Sequence, residues 1–446
     1  MLKRKVEKKI YEWIDNGKGA LLVDGARQVG KTFTIRNCLQ TQNIDYIELN
    51  LIEDSDALRA LMISDSVEDL KTNISAIASH ELIPRETVIF IDEVQELKEI
   101  VTRIKFWVDE GSFRYILSGS LLGIELRALR SAPVGYVHEL KMFPMDFDEF
   151  MEASQIPDNV VTHIKECFKT KKPVGDVVHD KIMKLFKRYL VVGGMPQAVN
   201  EYVESGNISR VGEIQRDIIS FYKRDFTKYE SEDKALMLKT IYDLIPAQLL
   251  KQNRRFNYAD IKKGLRFKNV ENSFMWLYNS GVVLNAFNTT EPKIGLKLNE
   301  KSSLVKLYYS DVGLLTYVCG EAMRKSILFD ENVQNLGGIY ENVVIQELTS
   351  CGYEVYYYNS KKLGELDFLI ENGISVVPIE VKSGKDYYVH SAINNVLKVK
   401  DFGIEEAAVF TGFDLTVKGN VTYYPIYMAG FMNKDNEETV VEPIVF

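Results

Sequence analysis

The sequence predicts an α/β fold class, and three observations predict it. Residues 1–150 alternate short apolar runs with helical stretches, residues 151–230 are helical throughout, and a new alternation of helix and strands fills residues 336–446. The runs of the first part are "GALLVDG", "DYIELN", "TVIFIDE" and "FRYILSGS". Nearly continuous apolar runs of this length suit strands covered on both faces. Strands separated by helices wind into a parallel sheet. Between the helical part and the last unit, residues 231–330 read as helices followed by short β-like pieces.

Each element has a local reason. "MLKRKVEKKI" is basic but lacks the apolar core of a signal peptide, and Val6, Ile10 and Trp13 fall on one face of an amphipathic helix. "FDEFMEASQ", "IMKLFKRYLVV" and "ISRVGEIQRDIISFYKRDF" carry helical periodicity, broken once at "VGGMPQAV". The last unit opens with the helix "YENVVIQELTS" and continues in the strands "EVYYYN", "ELDFLI" and "SVVPIEVKS". The sequence shows no internal repeat and no low-complexity tract.

Composition narrows the function classes. At 446 residues and 46% apolar content the chain can fill several cores. A net charge of -8 gives no global attraction for nucleic acid, so any such contact must come from local basic patches. Cys38, Cys167, Cys319 and Cys351 form no CxxC and read as free thiols of a reducing compartment, and the five histidines make no zinc pattern. No apolar run reaches the roughly 18 residues of a membrane span, and a cytoplasmic location is expected.

The stretch Gly25-Ala26-Arg27-Gln28-Val29-Gly30-Lys31-Thr32 fills every fixed position of GxxxxGK[ST] between a strand and a helix. The glycines let backbone N–H groups face phosphates, and the following helix offers its positive end. Lys31 is expected to reach the β- and γ-phosphates of ATP, and Thr32 to bind Mg²⁺. Thr34, in the first turn of the helix, is counted with the loop. "VIFIDEVQ" places Asp92 and Glu93 at a strand tip. Asp92 is assigned to the metal and Glu93 as catalytic base, although an acidic pair at a strand end can also be a cap. Ser118, at the end of "FRYILSGS", is expected at the γ-phosphate or the attacking water, or else as an N-cap.

The order of loop, acidic pair and polar strand tip resembles the AAA+ type of P-loop ATPase. More narrowly, "GARQVGKT", "IDEVQ", "LSGS" and "LKMFPMDFDEF", with "YLVVGGMPQAV", "KLYYSDVGLL" and "YENVVIQEL" further on, are similar to a bacterial and archaeal ATPase family. Its members carry a C-terminal domain of unknown function with a nuclease-like fold. The resemblance implies a helical lid over 151–230 whose turn Gly194-Met195-Pro196 brings Pro196 near the nucleotide base, unless the turn only breaks a helix. Relatives often show Gly-Arg where this chain has Gly135-Tyr136. Arg127 and Arg130 are candidate substitutes, or plain helix surface. An arginine supplied to a neighbour's phosphate would imply a homo-oligomer.

Residues 231–330 have the rhythm of a winged helix-turn-helix, with a helix "YADIKKGL", a reading helix "NVENSFMWLYNSG" and wing strands "VVLNAFN" and "KLYYSD". Lys251, Arg254, Arg255, Lys262, Lys263, Arg266 and Lys268 fall within 18 positions and suit phosphates. The reading helix carries no arginine, so a lid or spacer role stands beside DNA binding.

In the last unit, alternation along the strands lets Asp367 meet Glu380, with Lys382 on the face of Glu380. Two carboxylates from adjacent strands suit Mg²⁺, and Lys382 can steady charge on a phosphate or act on a water. Glu341 shares the inward stripe of its helix with Val344, Ile345 and Leu348 and needs a partner there, whereas Glu347 lies on another face. Together these residues resemble the PD-(D/E)xK core of restriction-endonuclease-like domains, except that Leu366 replaces the usual proline. A salt-bridged structural sheet is the alternative. The expected function is an ATP-hydrolysing AAA+ type ATPase coupled to a nuclease-like domain acting on nucleic acid. The alternative is a nucleotide-controlled switch or scaffold that binds a partner protein through an inert nuclease-like domain.

Overall fold

Five parallel strands form the first sheet: β1 (Ala20–Asp24), β2 (Tyr46–Asn50), β3 (Val88–Asp92), β4 (Arg114–Gly119) and β5 (Val137–Lys141), in the order β2-β3-β4-β1-β5. The computed structural model describes residues 2–64, 66–78, 80–120, 135–251, 253–331 and 336–434. Every residue of β1 and β3 is buried, as an apolar run covered on both faces requires. Leu22, Leu49, Ile89, Ile91 and Leu117 pack with Ile100, Ile104 and Trp107 of the helix Ile100–Glu110 on one side of the sheet. β4 lies between β1 and β3, so their carboxyl ends meet at one edge, where open α/β sheets bind ligands.

The chain divides into two compact units that interleave along the sequence. The first comprises Met1–Met145, Met195–Lys239 and Val270–Val283; the second comprises Asp146–Gly194, Thr240–Asn269 and Leu284–Phe446. In the first unit the N-terminal helix Val6–Asn16 buries Ile10, Trp13 and Ile14. Further along come the helices Pro196–Ser205 and Ile208–Tyr229, the second capped by Asn207, whose side chain accepts from the N–H groups of Ser209 and Arg210.

An eight-stranded mixed sheet organises the second unit. Its strands are β6 (Val283–Thr289), β7 (Glu300–Tyr309), β8 (Tyr356–Ser360), β9 (Gly364–Asn372), β10 (Ser375–Lys382), β11 (Ala407–Thr411), β12 (Thr416–Lys418) and β13 (Val421–Pro425), in the order β12-β13-β11-β10-β9-β8-β6-β7. β9 and β10 are antiparallel, and β10 and β11 parallel. The two pieces read as a wing, β6 and β7, are thus the last two strands of this sheet. The helix expected over "YADIKKGL" is only a 3₁₀ turn, Tyr258–Asp260. It buries none of its residues, so no packed face extends it into a helix.

Two of the sequence stretches that carry the family resemblance meet in the second unit. Asp311, from "KLYYSDVGLL", is fully buried, and its carboxylate accepts from Gly194 N at 2.6 Å and from Leu314 N at 2.9 Å. Gly194 belongs to the break in "YLVVGGMPQAV", so the aspartate holds that turn. Burial pushes the Asp311 carboxyl up to about 6. Replacing it orphans two N–H groups at about 1–3 kcal/mol each. Asp311→Ala should therefore lower stability by about 3 kcal/mol in denaturant unfolding, and Asp311→Asn, which keeps an acceptor, by less than half of that.

Candidate functional site

The loop between β1 and the helix Lys31–Thr41 is shaped by its backbone. A Cβ on Gly25 would lie 2.2 Å from Met142 O, so only glycine fits. Gln28 and Gly30 have φ of 64° and 95°. Ala26 and Val29 are buried, and Arg4 braces the loop by donating to Val29 O at 2.8 Å and Phe143 O at 2.7 Å. Thr34 is also buried, and its N–H closes the first helical turn on Gly30 O at 2.9 Å. Pro196 packs beside the loop: its Cγ lies 3.5 Å from where a Cβ on Gly30 would be.

Lys31 and Thr32 are satisfied by the protein itself. Lys31 Nζ donates to the carbonyls of Gly25 and Ala26, both at 2.9 Å. Thr32 Oγ1 donates to Asp92 Oδ2 at 2.9 Å. Asp92 also receives the Ser118 hydroxyl on Oδ1 and a weaker contact from Asn50 at 3.4 Å. Ser118 is fully buried, and its geometry makes it a positioning residue for Asp92. Glu93, half-buried, follows in left-handed backbone at φ 58° and accepts from Gln95 Nε2. Loop, acidic pair and polar strand tip are therefore brought together. No three His, Cys, Asp or Glu side chains among the described residues could hold a metal alone. The fit to Mg²⁺ is instead that of a hydroxyl and a carboxylate in contact beside the loop.

Several contacts of the site are long-range and do not follow from the local motif. Arg27 turns away from the phosphate cradle and bonds Asp225 at 2.6 Å and Tyr229 Oη at 3.3 Å, both on the helix Ile208–Tyr229. Tyr222 Oη donates to Arg27 O at 3.2 Å, and Lys228 and Tyr229 bond Glu96 at 2.7 and 2.9 Å. Asp24, just before Gly25, is buried with Oδ1 unpartnered. Burial pushes its carboxyl up to about 6, against the pull of Lys31. Burial likewise pushes the Lys31 ammonium down, opposed by Glu93, Asp24 and Asp92. Arg127 and Arg130 lie outside the described residues.

Comparison with known proteins follows this geometry. Residues 17–151 match the family described as AAA domain. Residues 183–325 and 336–428 match two families described as domains of unknown function, DUF8612 and DUF4143. Among curated proteins none matches. Similar solved structures include the Walker-type ATPase PABY2304 of Pyrococcus abyssi, 16% identical, with a TM-score of 0.44 over 72% of this chain and 96% of that one. Drosophila ORC bound to DNA is 14% identical, with a TM-score of 0.29 over 75% and 97%. Cdc6p from Pyrobaculum aerophilum is 10% identical, with a TM-score of 0.24 over 74% and 96%. No helix of the described residues is long and apolar enough to cross a membrane.

The carboxylates of the second unit also gather. Glu341, fully buried, receives Arg254 Nη1 on one oxygen and Tyr308 Oη on the other at 3.1 Å. Asp367 accepts from Val381 N at 2.9 Å and lies 4.0 Å from Arg254 Nη1. Lys382 Nζ pairs with Glu380 at 3.1 Å. Burial first, and the charge of Asp367 next, push the Glu380 carboxyl up to about 8. Glu347 is buried too, and it accepts from Phe147 N at 3.1 Å and Tyr189 Oη at 2.9 Å. That bonding makes it a structural anchor. On the basic segment, Arg255, Lys262, Lys263, Arg266 and Lys268 are exposed without an ion pair among the described residues, whereas Lys251 pairs with Asp260.

Two outcomes test the AAA domain. Lys31→Ala should abolish ATP binding in equilibrium titration, while Glu93→Gln should bind ATP but lose on the order of 10²–10⁴-fold of turnover. The pH dependence follows from Asp24. Its folded pKa is raised, so it is neutral below about 6 and adds a negative charge beside the phosphates above that. ATP affinity of the wild type relative to Asp24→Asn should therefore fall as pH rises through about 6. A pH-independent ratio would refute this.

Proposed function

We propose that the chain is an ATP-hydrolysing AAA+ type ATPase whose nucleotide state is coupled to a C-terminal nuclease-like domain acting on nucleic acid. The observation that carries the ATPase reading is the convergence of Lys31, Thr32, Asp92, Glu93 and Ser118 at one sheet edge. Entry of a triphosphate gives Lys31 phosphate oxygens in place of the Gly25 and Ala26 carbonyls. The N–H groups of the loop and the start of the helix hold the β-phosphate. Thr32 Oγ1 and the Asp92 carboxylate, the latter held by Ser118, would hold the metal. Glu93 orients the attacking water and takes its proton. Mg²⁺, if bound, would supply charge stabilisation for the phosphates, and Thr32 and Asp92 are the residues that would hold it. Arg27, the loop's one arginine, is committed to Asp225. An arginine acting on the γ-phosphate would then come from a neighbouring copy, as in a homo-oligomer.

The nucleic-acid part of the reading rests on the basic segment. Its free cations stand on the loop between the helix Glu232–Leu249 and the helix Glu271–Asn279, which suits backbone phosphates better than base edges. This loop would thus bind without sequence preference. The second reading, a nucleotide-controlled switch with an inert nuclease-like domain, is favoured by one observation: Arg254 already neutralises Glu341. Both follow from one assay of ATP turnover with a panel of single- and double-stranded DNA and RNA. The preferred reading expects several-fold stimulation that falls with salt and is lost when Arg255, Lys262, Lys263 and Lys268 are changed together to Ala. Turnover indifferent to every nucleic acid selects the switch.

A further inference from the structure

Aromatic rings gather beyond the ends of β10 and β11. The loop that follows Lys382 carries Tyr387 and Tyr388, and the loop that follows Thr411 carries Phe413. The two strands are parallel with Lys382 in register with Thr411, so both loops leave the same end of the sheet. Phe413 stacks on Tyr387 with ring centroids 4.5 Å apart and planes 24° apart, and Tyr387 lies 4.0 Å from Tyr388. Tyr423 of β13, 3% exposed, meets Tyr387 and Tyr388 in T-shaped contacts at 5.8 and 4.9 Å and is itself bonded to His390. Tyr387 Oη donates to Tyr388 Oη at 2.6 Å. The stack is therefore held by a buried strand residue and by its own members.

The protein does not close over this stack. Tyr388 is 39% and Phe413 40% exposed, and Val389 and Val417 on the same two loops are exposed as well. Rings grouped at the surface mark a place that a partner covers. The charges beside them indicate the kind of partner. Lys418 Nζ lies 3.2 Å from the centroid of the Tyr388 ring, and Lys385 is exposed on the tyrosine loop. Neither lysine has an ion pair among the described residues. Of the two acids on these loops, Asp414 is turned to backbone, accepting from Val174 N and Gly175 N, both at 2.9 Å, at the start of the helix Asp176–Val192. Asp386 is exposed. In a chain whose net charge is -8, two uncommitted ammonium groups beside exposed rings are a local exception that suits a polyanion with flat faces.

We propose that Phe413, Tyr387 and Tyr388 form a stacking platform for the bases of a single-stranded nucleic acid, with Lys385 and Lys418 on its phosphates. The inference rests on the reading of the C-terminal domain as one that acts on nucleic acid, and it names the form of that substrate. Every base has a π-face, so stacking on rings holds a strand whatever its sequence. Inside a duplex both faces of a base are covered by neighbouring pairs, so a platform of this kind takes single strands. Lys382 and the two tyrosines share one loop, which places a bound strand at the end of β10.

Fluorescence anisotropy with the full-length protein tests this, using labelled oligo-dT and oligo-rU strands of about 12 nucleotides and a DNA duplex of the same length. The wild type should bind at least one of the two strands more tightly than the duplex. Tyr388→Ala and Phe413→Ala should each weaken strand binding by at least about five-fold and leave duplex binding unchanged. Tyr388→Phe and Phe413→Tyr, which keep a ring, should bind the strand as the wild type does. Alanine variants that bind the strand at wild-type strength, or that weaken duplex binding equally, overturn the proposal. So does an alanine variant that alters the oligomeric state in light scattering and not strand binding, because the rings then face a second copy. If the alanine variants bind as the wild type while ATP turnover still responds to nucleic acid, the platform alone fails. A wild type that neither binds a strand nor responds in turnover fails both readings.

Discussion

A buried ammonium must have acceptors, and the first unit is arranged around that requirement. Lys31 is 8% exposed, and burial pushes its pKa down. An unpaired charge at that depth would cost several kcal/mol. Two loop carbonyls and three nearby carboxylates meet the need. In the proposed function a triphosphate would meet it better, because an anionic oxygen attracts an ammonium more strongly than a neutral carbonyl does. The same logic applies one residue on, where Thr32 keeps its hydroxyl on Asp92 at 2.9 Å. The loop is therefore held in shape by its own hydrogen bonds, which the proposed triphosphate would replace.

The rest of the first unit supports that loop. β4 sits between β1 and β3, and this strand order lets Ser118 reach Asp92. Arg4, at the other end of this unit's sequence, ties down the loop carbonyl at Val29. Arg27 and Asp225 fasten the helix Ile208–Tyr229 to the loop by a bond at 2.6 Å that is mostly shielded from water. Such a contact weighs more than the exposed pairs scattered over the surface. In the second unit the same economy of charge appears in another form, since each carboxylate of the C-terminal cluster has a donor or cation from the protein.

The sequence carried the first sheet and its loop because both are local. The continuous apolar runs have few structural alternatives, and the loop motif is contiguous. Glu341 was legible as inward for the same reason, through its helical stripe. What could not be read was long-range. In the sequence Arg254 reads as one more phosphate-binding cation, because nothing in its neighbourhood shows that Glu341, 87 residues away, is its partner. Arg27 was read as part of the phosphate cradle, and only the fold reveals Asp225 beside it. Glu347 was set aside on helical geometry, yet its helix is buried on nearly every side, so no face of it is solvent. The short helix over "YADIKKGL" failed because its pattern has no surface to pack against.

The most direct measurement is a crystal structure of the protein soaked with Mg²⁺ and a non-hydrolysable ATP analogue. The account predicts that Lys31 Nζ leaves Gly25 O and Ala26 O for the β- and γ-phosphates, and that Thr32 Oγ1 turns from Asp92 to the metal. An analogue bound anywhere else, or a loop in which Lys31 still rests on its own carbonyls beside the bound triphosphate, would contradict it.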